Sequence, residues 1–198
     1  MKKMLLSLLL VAPAVFANPQ QELNTRLSKL NSFTASFEQT VTSPDGDVIS
    51  EGEGKLAVKR PNLFNWETVT PDENYLISDG KTLWYYSPFI EQVTAMWLDD
   101  ATSQTPFVLL TRNNPDDWNN YNVKQEGDTF TLSPKEASNH GEFVVSVKPD
   151  GKITEFAVVE QDGQQSRFEL ENVQNVLPAA STFTFTIPDG VELDDQRQ

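Results

Sequence analysis

The chain has 198 residues, of which 38% are hydrophobic, 29 are acidic, 15 are basic and none is cysteine. This length suits a single domain with a core of its own, and the lack of cysteine excludes stabilisation by disulfides. The net charge of −14 argues against binding to nucleic acid or to an anionic membrane surface.

The first 17 residues have the pattern of a secretory signal peptide. Lys2 and Lys3 precede an apolar run, Met4–Ala12, and Ala17 ends a small-residue cleavage pattern. The run is too short to span a bilayer, and no cysteine follows it that could carry lipid. We therefore predict an exported single domain of residues 18–198 without direct membrane insertion. Its 13 basic and 29 acidic residues give it a formal charge of −16. Association with a membrane would therefore depend on a protein partner or a bound ligand and not on charge.

The mature chain opens with one amphipathic helix and continues as a strand. Leucines at spacings of four and three predict a helix over Pro19–Leu30, with the proline in its first turn. From Ser32 the period changes to two, since Phe33 and Phe37 alternate with polar residues. That alternation is typical of a strand with one apolar and one polar face.

The next stretch, Gly54–Glu67, places an arginine among apolar side chains. Strand alternation puts Leu56, Val58 and Arg60 on one face, and Pro61 then interrupts the strand. On spacing alone, the favoured interpretation is a strand-end Arg60 whose head reaches water. The alternative is a guanidinium directed into the protein.

Turn signals then divide the chain into short alternating runs. Asp-Gly pairs occur at 45–46, 79–80, 150–151 and 162–163, and this pair is a strong signal for a tight hairpin. The runs between them, including one at Phe183–Ile187, predict an antiparallel meander of roughly ten or eleven strands. One face is predicted to be apolar and the other polar.

A segment without alternation interrupts this meander. Over Asp99–Asn119, Pro106 and Pro115 each lead a short run typical of a helix start. A sheet of this length tends to curl. We therefore predict a mainly β protein, a curled antiparallel sheet with a few helices over its concave face, an arrangement that suits an apolar pocket as much as a filled core.

Residues with catalytic or metal-binding chemistry are scarce. His140 is the one histidine in the sequence, so zinc and copper sites, other metal sites and a Ser-His-Asp triad are not expected. No Gly-rich phosphate loop appears, and no cofactor is predicted. The many carboxylates leave open a secreted carbohydrate-active or esterase-like hydrolase, because a glycosidase needs only two of them. We predict that the protein is not an enzyme; a structural or adhesive module with a filled core is a third possibility.

Several separated motifs resemble the LolA family of outer-membrane lipoprotein carrier proteins. They are Lys59–Trp66 (KRPNLFNW), Ser78–Trp84 (SDGKTLW), Thr105–Phe107 (TPF) and Asp194–Arg197 (DDQR). The resemblance implies an incomplete β-barrel closed by a helical lid over a hydrophobic cavity. It also implies a monomeric periplasmic carrier that receives acylated lipoproteins from an inner-membrane ABC transporter and delivers them to an outer-membrane receptor.

The resemblance also assigns roles to residues. It makes Arg60 the link between barrel and lid in the empty form, and it makes the Pro106 segment the lid. The other candidate ligand-binding residues are Phe64, Trp66, Phe107, Val108 and Leu110. Without the resemblance, ordinary core is the favoured interpretation of each of these five. With it, we expect them at the cavity wall or at the seam between lid and barrel. Phe64, just past the Arg60–Pro61 break, is expected at the cavity mouth.

Overall fold

The structure, a computed structural model, describes residues 18–101, 106–112, 114–136 and 141–197. The predicted signal peptide, Thr105 and His140 lie outside these ranges. The strands are β1 Ser32–Thr42, β2 Val48–Lys59, β3 Leu63–Thr70, β4 Asn74–Asp79, β5 Thr82–Ser87, β6 Gln92–Trp97, β7 Tyr121–Glu126, β8 Thr129–Pro134, β9 Glu142–Val147, β10 Ile153–Val159, β11 Gln165–Gln174 and β12 Glu192–Asp195. The helices are α1 Pro19–Leu27, α2 Leu98–Ala101 and α3 Pro106–Arg112, with 3₁₀ turns at Pro88–Ile90, Pro115–Asn120 and Ala180–Phe183.

The twelve strands form one curled sheet in the order β12-β6-β5-β4-β3-β2-β1-β11-β10-β9-β8-β7. Neighbouring strands are antiparallel except for β12 and β6, which pair in parallel. In the described ranges no pairing joins β7 to β12, so the barrel is incomplete, as predicted. None of the helices in those ranges is long and apolar enough to cross a membrane.

The predicted hairpin turns lie where the Asp-Gly pairs placed them. Gly46, Gly80, Gly151 and Gly163 all have φ between 89° and 95°. This left-handed conformation strains any residue with a Cβ, so glycine is the residue that closes each turn. The alternation of the flanking runs then fixes which face of each strand points inward.

The first helix is shorter than predicted. Helix α1 ends at Leu27, and Lys29 and Leu30 donate backbone hydrogen bonds to Arg26 and Leu27 as a tighter turn. Leu30 is nevertheless buried, because the turn carries the apolar stripe onward. Leucine spacing thus predicted the buried face correctly and the helix end three residues too late.

The inserted segment is helical where its prolines predicted, at α3 and at the turn Pro115–Asn120, and it contains a further short helix, α2, that no proline signals. Helices α2 and α3 and the turn Pro115–Asn120 connect β6 to β7. Apolar residues of α1, α2 and α3 belong to the same core as the inner face of β1, β2 and β3. The helices therefore cover the concave side of the sheet.

The C-terminal segment corrects two predictions. Phe183–Ile187 is not a strand, because Ala180–Phe183 forms a 3₁₀ turn that packs against the outer face of β3 and β4. Phe183 is buried there, and Asn65 Nδ2 donates a hydrogen bond to the Thr182 carbonyl at 2.8 Å. Ile77 is buried on the same face. The outer face is therefore partly apolar, and this strap, residues 175–191, covers it.

Candidate ligand-binding site beneath the helices

The β2–β3 connection carries Arg60 to the inner side of the sheet. Leu56 and Val58 on the same face are 2% and 1% exposed, and the alternation of β2 directs Arg60 the same way. Arg60 itself is 7% exposed. The interpretation with the guanidinium head in water is therefore wrong, because the head lies under the helices rather than beyond the sheet edge.

Backbone carbonyls at the ends of two helices accept the hydrogen bonds of Arg60. Nε donates to the Leu110 carbonyl of α3 at 2.8 Å. Nη1 donates to the carbonyls of Leu27, the last residue of α1, and of Leu30 just beyond it. The last carbonyls of a helix lack intrahelical partners and carry its partial negative charge, so a cation is favoured there. One side chain thus connects both helices to the sheet.

The guanidinium keeps its charge although it is buried. Burial lowers the pKa of Arg60 to about 10, which still leaves it protonated at neutral pH. Nη2 has no hydrogen-bond partner among the described residues. A buried charge with an incomplete set of partners raises the free energy of the state that contains it. The hydrogen bonds of Arg60 therefore stabilise the closed arrangement, whereas desolvation of its charge destabilises it.

A second link to α3 lies two residues further on, and the sequence pattern gave no sign of it. The backbone N–H of Asn62 donates to the Thr111 carbonyl of α3 at 3.0 Å. The carbonyl of Asn62 in turn accepts a 2.5 Å hydrogen bond from the hydroxyl of Ser78 on β4. Such backbone contacts depend on how the chain turns at Pro61, which residue periodicity does not report.

Aromatic rings fill the space between α3 and the sheet. The Phe107 ring of α3 lies edge-on to Phe64 and Trp66 of β3, with ring centroids 5.6 and 5.0 Å away. Its centroid is 5.4 Å from that of Phe156 on β10. The Trp66 ring also contacts Phe168 of β11 at 5.0 Å. Helix α3 thus covers the inner face of the sheet through the packing of Phe107 on the aromatic rings of the strands.

The structure brings all six candidate residues together. Arg60 contacts α3, and the other five lie in one core cluster: Phe64, Trp66, Phe107, Val108 and Leu110. Phe64 is fully buried beneath Phe107 in this closed arrangement, so its position at the mouth of an open cavity stays a prediction. Burial agrees both with ordinary core and with a cavity wall, so the ligand-binding role stays a prediction.

Three further aromatic residues of the inner face were not among the candidates. They are Phe37, Phe156 and Phe168, which surround Trp66. Alternation alone could place each on the inner face of its own strand. It could not show that β1, β10 and β11 bring them to the same level as Trp66, because that depends on strand order and register.

Comparison with known proteins gives a consistent result. The sequence matches the LolA family, described as outer membrane lipoprotein carrier protein, over residues 28–186. It is 64% identical over 190 residues to an outer-membrane lipoprotein carrier protein of Photobacterium profundum, covering 96% of this chain and 95% of that one. It is 59% identical over 189 residues to one of Yersinia pestis, covering 95% and 94%.

Solved structures share the fold at low sequence identity. A LolA superfamily protein from Nitrosomonas europaea aligns with a TM-score of 0.52 at 13% identity, covering 85% of this chain and 98% of that one. An uncharacterised conserved protein from Thermus thermophilus aligns with a TM-score of 0.59 at 11% identity, covering 89% and 98%. These likenesses concern the fold alone.

Proposed function

The chain belongs to the LolA family of outer-membrane lipoprotein carrier proteins, and on that basis we propose the steps of its transport cycle. The mature protein, residues 18–198, acts in the periplasm as a monomer. It receives acylated lipoproteins from an inner-membrane ABC transporter and shields their acyl chains beneath α3. It then passes them to an outer-membrane receptor.

Acyl chains set the energetic problem that such a carrier solves. Burial of one methylene is worth about 0.8 kcal/mol, so two long chains hold on the order of 20 kcal/mol of hydrophobic free energy. A carrier must replace most of this burial and still release its cargo. A lid that opens and closes meets both needs, because the closed state hides its apolar wall from water when no cargo is bound.

The observation that carries the proposal is the position of Arg60 and Phe107. Arg60 holds α3 over the sheet through the Leu110 carbonyl, and Phe107 on the same helix covers Phe64 and Trp66. If α3 moves away, the hydrogen bond breaks and both rings of β3 become available to an acyl chain. A single helix movement would thus couple release of the latch to exposure of the binding surface.

The hydrolase alternative is set aside. The relatives at 56–64% identity are named as carrier proteins, and the family is not one of enzymes. A filled-core structural module is disfavoured by the charged Arg60 at the centre of the helix contacts. In a module without moving parts, an apolar side chain would commonly be more stable at this position than a desolvated guanidinium.

Ligand binding by purified residues 18–198 tests the proposal. We expect saturable binding of an apolar fluorophore and its displacement by an acylated peptide. The same peptide without acyl chains should not displace it. Capture of a lipoprotein from inner-membrane vesicles and delivery to receptor-bearing vesicles then tests the two ends of the cycle. Absence of saturable binding would favour the filled-core module.

Export is tested separately. We propose that residues 1–17 are removed, so intact-mass measurement of the exported protein should give a chain that begins at Asn18 and carries no covalently bound lipid. A mature species that retains the first 17 residues would contradict this.

A further inference from the structure

Helix α1 is attached to the sheet by a buried arginine of its own. Arg26 is 8% exposed, and its Nε donates to Glu22 Oε1 at 2.7 Å within the helix. Nη1 donates to Asp128 Oδ1 in the β7–β8 turn and to the Val147 carbonyl of β9, both at 2.7 Å. The guanidinium carbon also lies 5.4 Å from the ring centroid of Phe130. Charge, hydrogen bonds and a ring contact thus converge on one residue.

Further contacts attach the same end of α1 to the β9–β10 turn. Lys29 Nζ donates to the Pro149 carbonyl at 2.6 Å. The backbone of Gly151 approaches so closely that a Cβ there would lie 2.7 Å from the Arg26 carbonyl. Lys148 Nζ pairs with Asp128 at 3.0 Å and so holds the carboxylate that Arg26 uses. The C-terminal end of α1 is therefore fixed to two turns of the sheet.

Helix α3 is attached differently. Within the described residues, its backbone meets the sheet at the Leu110 carbonyl with Arg60 Nε and at the Thr111 carbonyl with the Asn62 N–H. Arg112 at its end pairs with Asp99 and Asp117, each at 3.1 Å. Both of those carboxylates belong to the same inserted segment as α3. These ion pairs therefore hold α3 to its neighbours within the inserted segment.

We propose that α1 and α3 are unlike halves of the lid, α1 remaining in place while α3 moves, and that Arg26 is the positioning residue that keeps α1 fixed. This inference rests on the proposed carrier function for its purpose. It concerns which element moves, a question that the family membership leaves open.

The arrangement gives Arg60 a permanent and a temporary set of acceptors. When α3 leaves, Nη1 keeps the carbonyls of Leu27 and Leu30, because Arg26 holds α1 against the sheet. Opening then breaks the hydrogen bond to the Leu110 carbonyl, and the guanidinium keeps its other two acceptors. The guanidinium also stays oriented for α3 to return, since its planar shape fixes Nε relative to Nη1.

Two backbone amides report on the two halves separately. The amide of Asn62 donates to the Thr111 carbonyl of α3 at 3.0 Å. The amide of residue 60 donates to the Asn31 carbonyl, between α1 and β1, at 2.7 Å. They are two positions apart in the chain, so the second serves as an internal control for the first.

Hydrogen exchange measured by NMR on cargo-free residues 18–198 tests the inference. In Arg60→Leu, exchange at Asn62 and in the last turn of α3 should rise by about tenfold or more, the equivalent of one charge-assisted hydrogen bond. The variant also removes the Nη1 bonds to the Leu27 and Leu30 carbonyls. The contacts of Arg26 and Lys29 remain, so exchange in α1 and at position 60 should stay within about twofold. A joint rise of α1 and α3 would overturn the inference.

The role of Arg26 is tested with a matched pair of variants. In Arg26→Gln, exchange within α1 should rise by about tenfold or more. In Arg167→Gln, which removes an arginine that pairs with Glu155 and Glu169 at the exposed side of β11, it should not change. If Arg26→Gln does not fold, Asp128→Asn removes one partner of Arg26 and should give a smaller rise in the same helix. Unchanged α1 exchange in Asp128→Asn and Arg26→Gln would overturn the role of Arg26.

Retention of an acylated peptide, measured by native mass spectrometry on the same samples, separates this inference from the carrier function. If the wild-type protein does not retain the acylated peptide, the carrier function is contradicted. The exchange pattern measured without cargo decides separately which helix moves. If the peptide is retained, its addition to the wild-type protein should raise exchange at Asn62 and leave α1 unchanged. A rise in α1 on loading would overturn the inference.

Discussion

At the scale of single residues, Arg60 is stabilising and costly at once. Its hydrogen bonds satisfy helix-end carbonyls, yet its charge is desolvated and Nη2 lacks a partner in the described part of the chain. Because these contributions oppose each other, the closed and open states differ less in free energy than the hydrogen bonds alone would make them. That smaller difference suits a latch, because binding energy from a ligand can exceed it.

Replacing Arg60 with Leu should leave the domain folded and open the lid. The variant loses all three hydrogen bonds of Arg60, of which the one to the Leu110 carbonyl holds α3. That charge-assisted bond is worth roughly 1.5–3 kcal/mol, and its loss leaves the Leu110 carbonyl without this partner when α3 is closed. The open-to-closed ratio should therefore rise roughly tenfold to a hundredfold. Lipoprotein capture should persist while delivery fails, because closure no longer offsets expulsion of the acyl chains. The two-vesicle transfer assay measures both steps.

Arg60→Lys is the control for charge without the planar fork, and it should restore delivery only in part. Normal delivery by Arg60→Leu would show that the hydrogen bonds to the helices have no part in the cycle.

Phe64→Glu should destabilise the closed protein. Phe64 is fully buried against Phe107, so a carboxylate there would lose its hydration or force α3 away. We expect the free energy of unfolding to fall by about 3–5 kcal/mol, as for loss of a buried phenylalanine. Phe64→Leu should lower the free energy of unfolding by less than half as much. Urea unfolding followed by tryptophan fluorescence compares them, and equal stability of Phe64→Glu and wild type would contradict the burial.

At the scale of elements, a bulge in the β2–β3 pairing explains a glycine in a strand. Glu53 pairs with Thr70 and Gly54 with Thr68, which leaves Val69 without a counterpart. The displaced backbone of β3 approaches so closely that a Cβ on Gly54 would lie 2.1 Å from the Glu67 carbonyl oxygen. It would also lie 2.4 Å from the ring of Phe37. Glycine is needed here for space, since its φ is not in the left-handed region.

Gly54→Ala should therefore reduce the free energy of unfolding by about 1–3 kcal/mol, the usual cost of forcing a methyl into a packed interior. Ser50→Ala, at an exposed position of the same strand, should change it by less than about 0.5 kcal/mol. Urea unfolding midpoints measure both. A wild-type midpoint for Gly54→Ala would mean that β3 can give way at the bulge.

The sequence predicted elements whose signal is local. Strand alternation oriented β2, Asp-Gly pairs located the hairpins, and prolines marked the helices of the insertion. It failed for β12 and the strap, because a four-residue strand that pairs in parallel with β6 has neither a hairpin signal nor an apolar period. The head of Arg60 was misplaced for a similar reason, since its partners lie 30 to 50 residues away in sequence.

At the scale of the whole molecule, the dominant property is negative charge, and several carboxylates are held ionised by neighbouring cations. The hydrogen bond from Arg197 lowers the pKa of Asp195 to about 2, and that from Lys148 lowers the pKa of Asp128. Arg167 lowers the pKa of Glu155. Asp117 is an exception, because burial raises its pKa.

These shifts predict how stability depends on pH. A carboxylate whose pKa is lower in the folded state contributes stability that is fully present above its unfolded pKa of about 4 and is lost as pH falls through the folded value. Asp117 acts in the opposite direction, but as one group against four, because at Asp79 burial is outweighed by backbone hydrogen bonds from Thr82 and Lys81, which lower the pKa of that carboxylate as well.

The free energy of unfolding should therefore stay nearly constant from pH 8 to about pH 5 and fall steadily from about pH 4 to about pH 2. Partial relief of the repulsion among the acidic side chains near the pI of 4.4 adds to the plateau and cannot prevent the later fall. Urea unfolding at closely spaced pH values measures the curve. In Asp195→Asn the part of the fall nearest pH 2 should be smaller, because that carboxylate has the lowest of the shifted pKa values. A wild-type protein as stable at pH 2 as at pH 6 would show that the pairs of Asp195 with Arg197 and of Asp128 with Lys148 do not persist in solution.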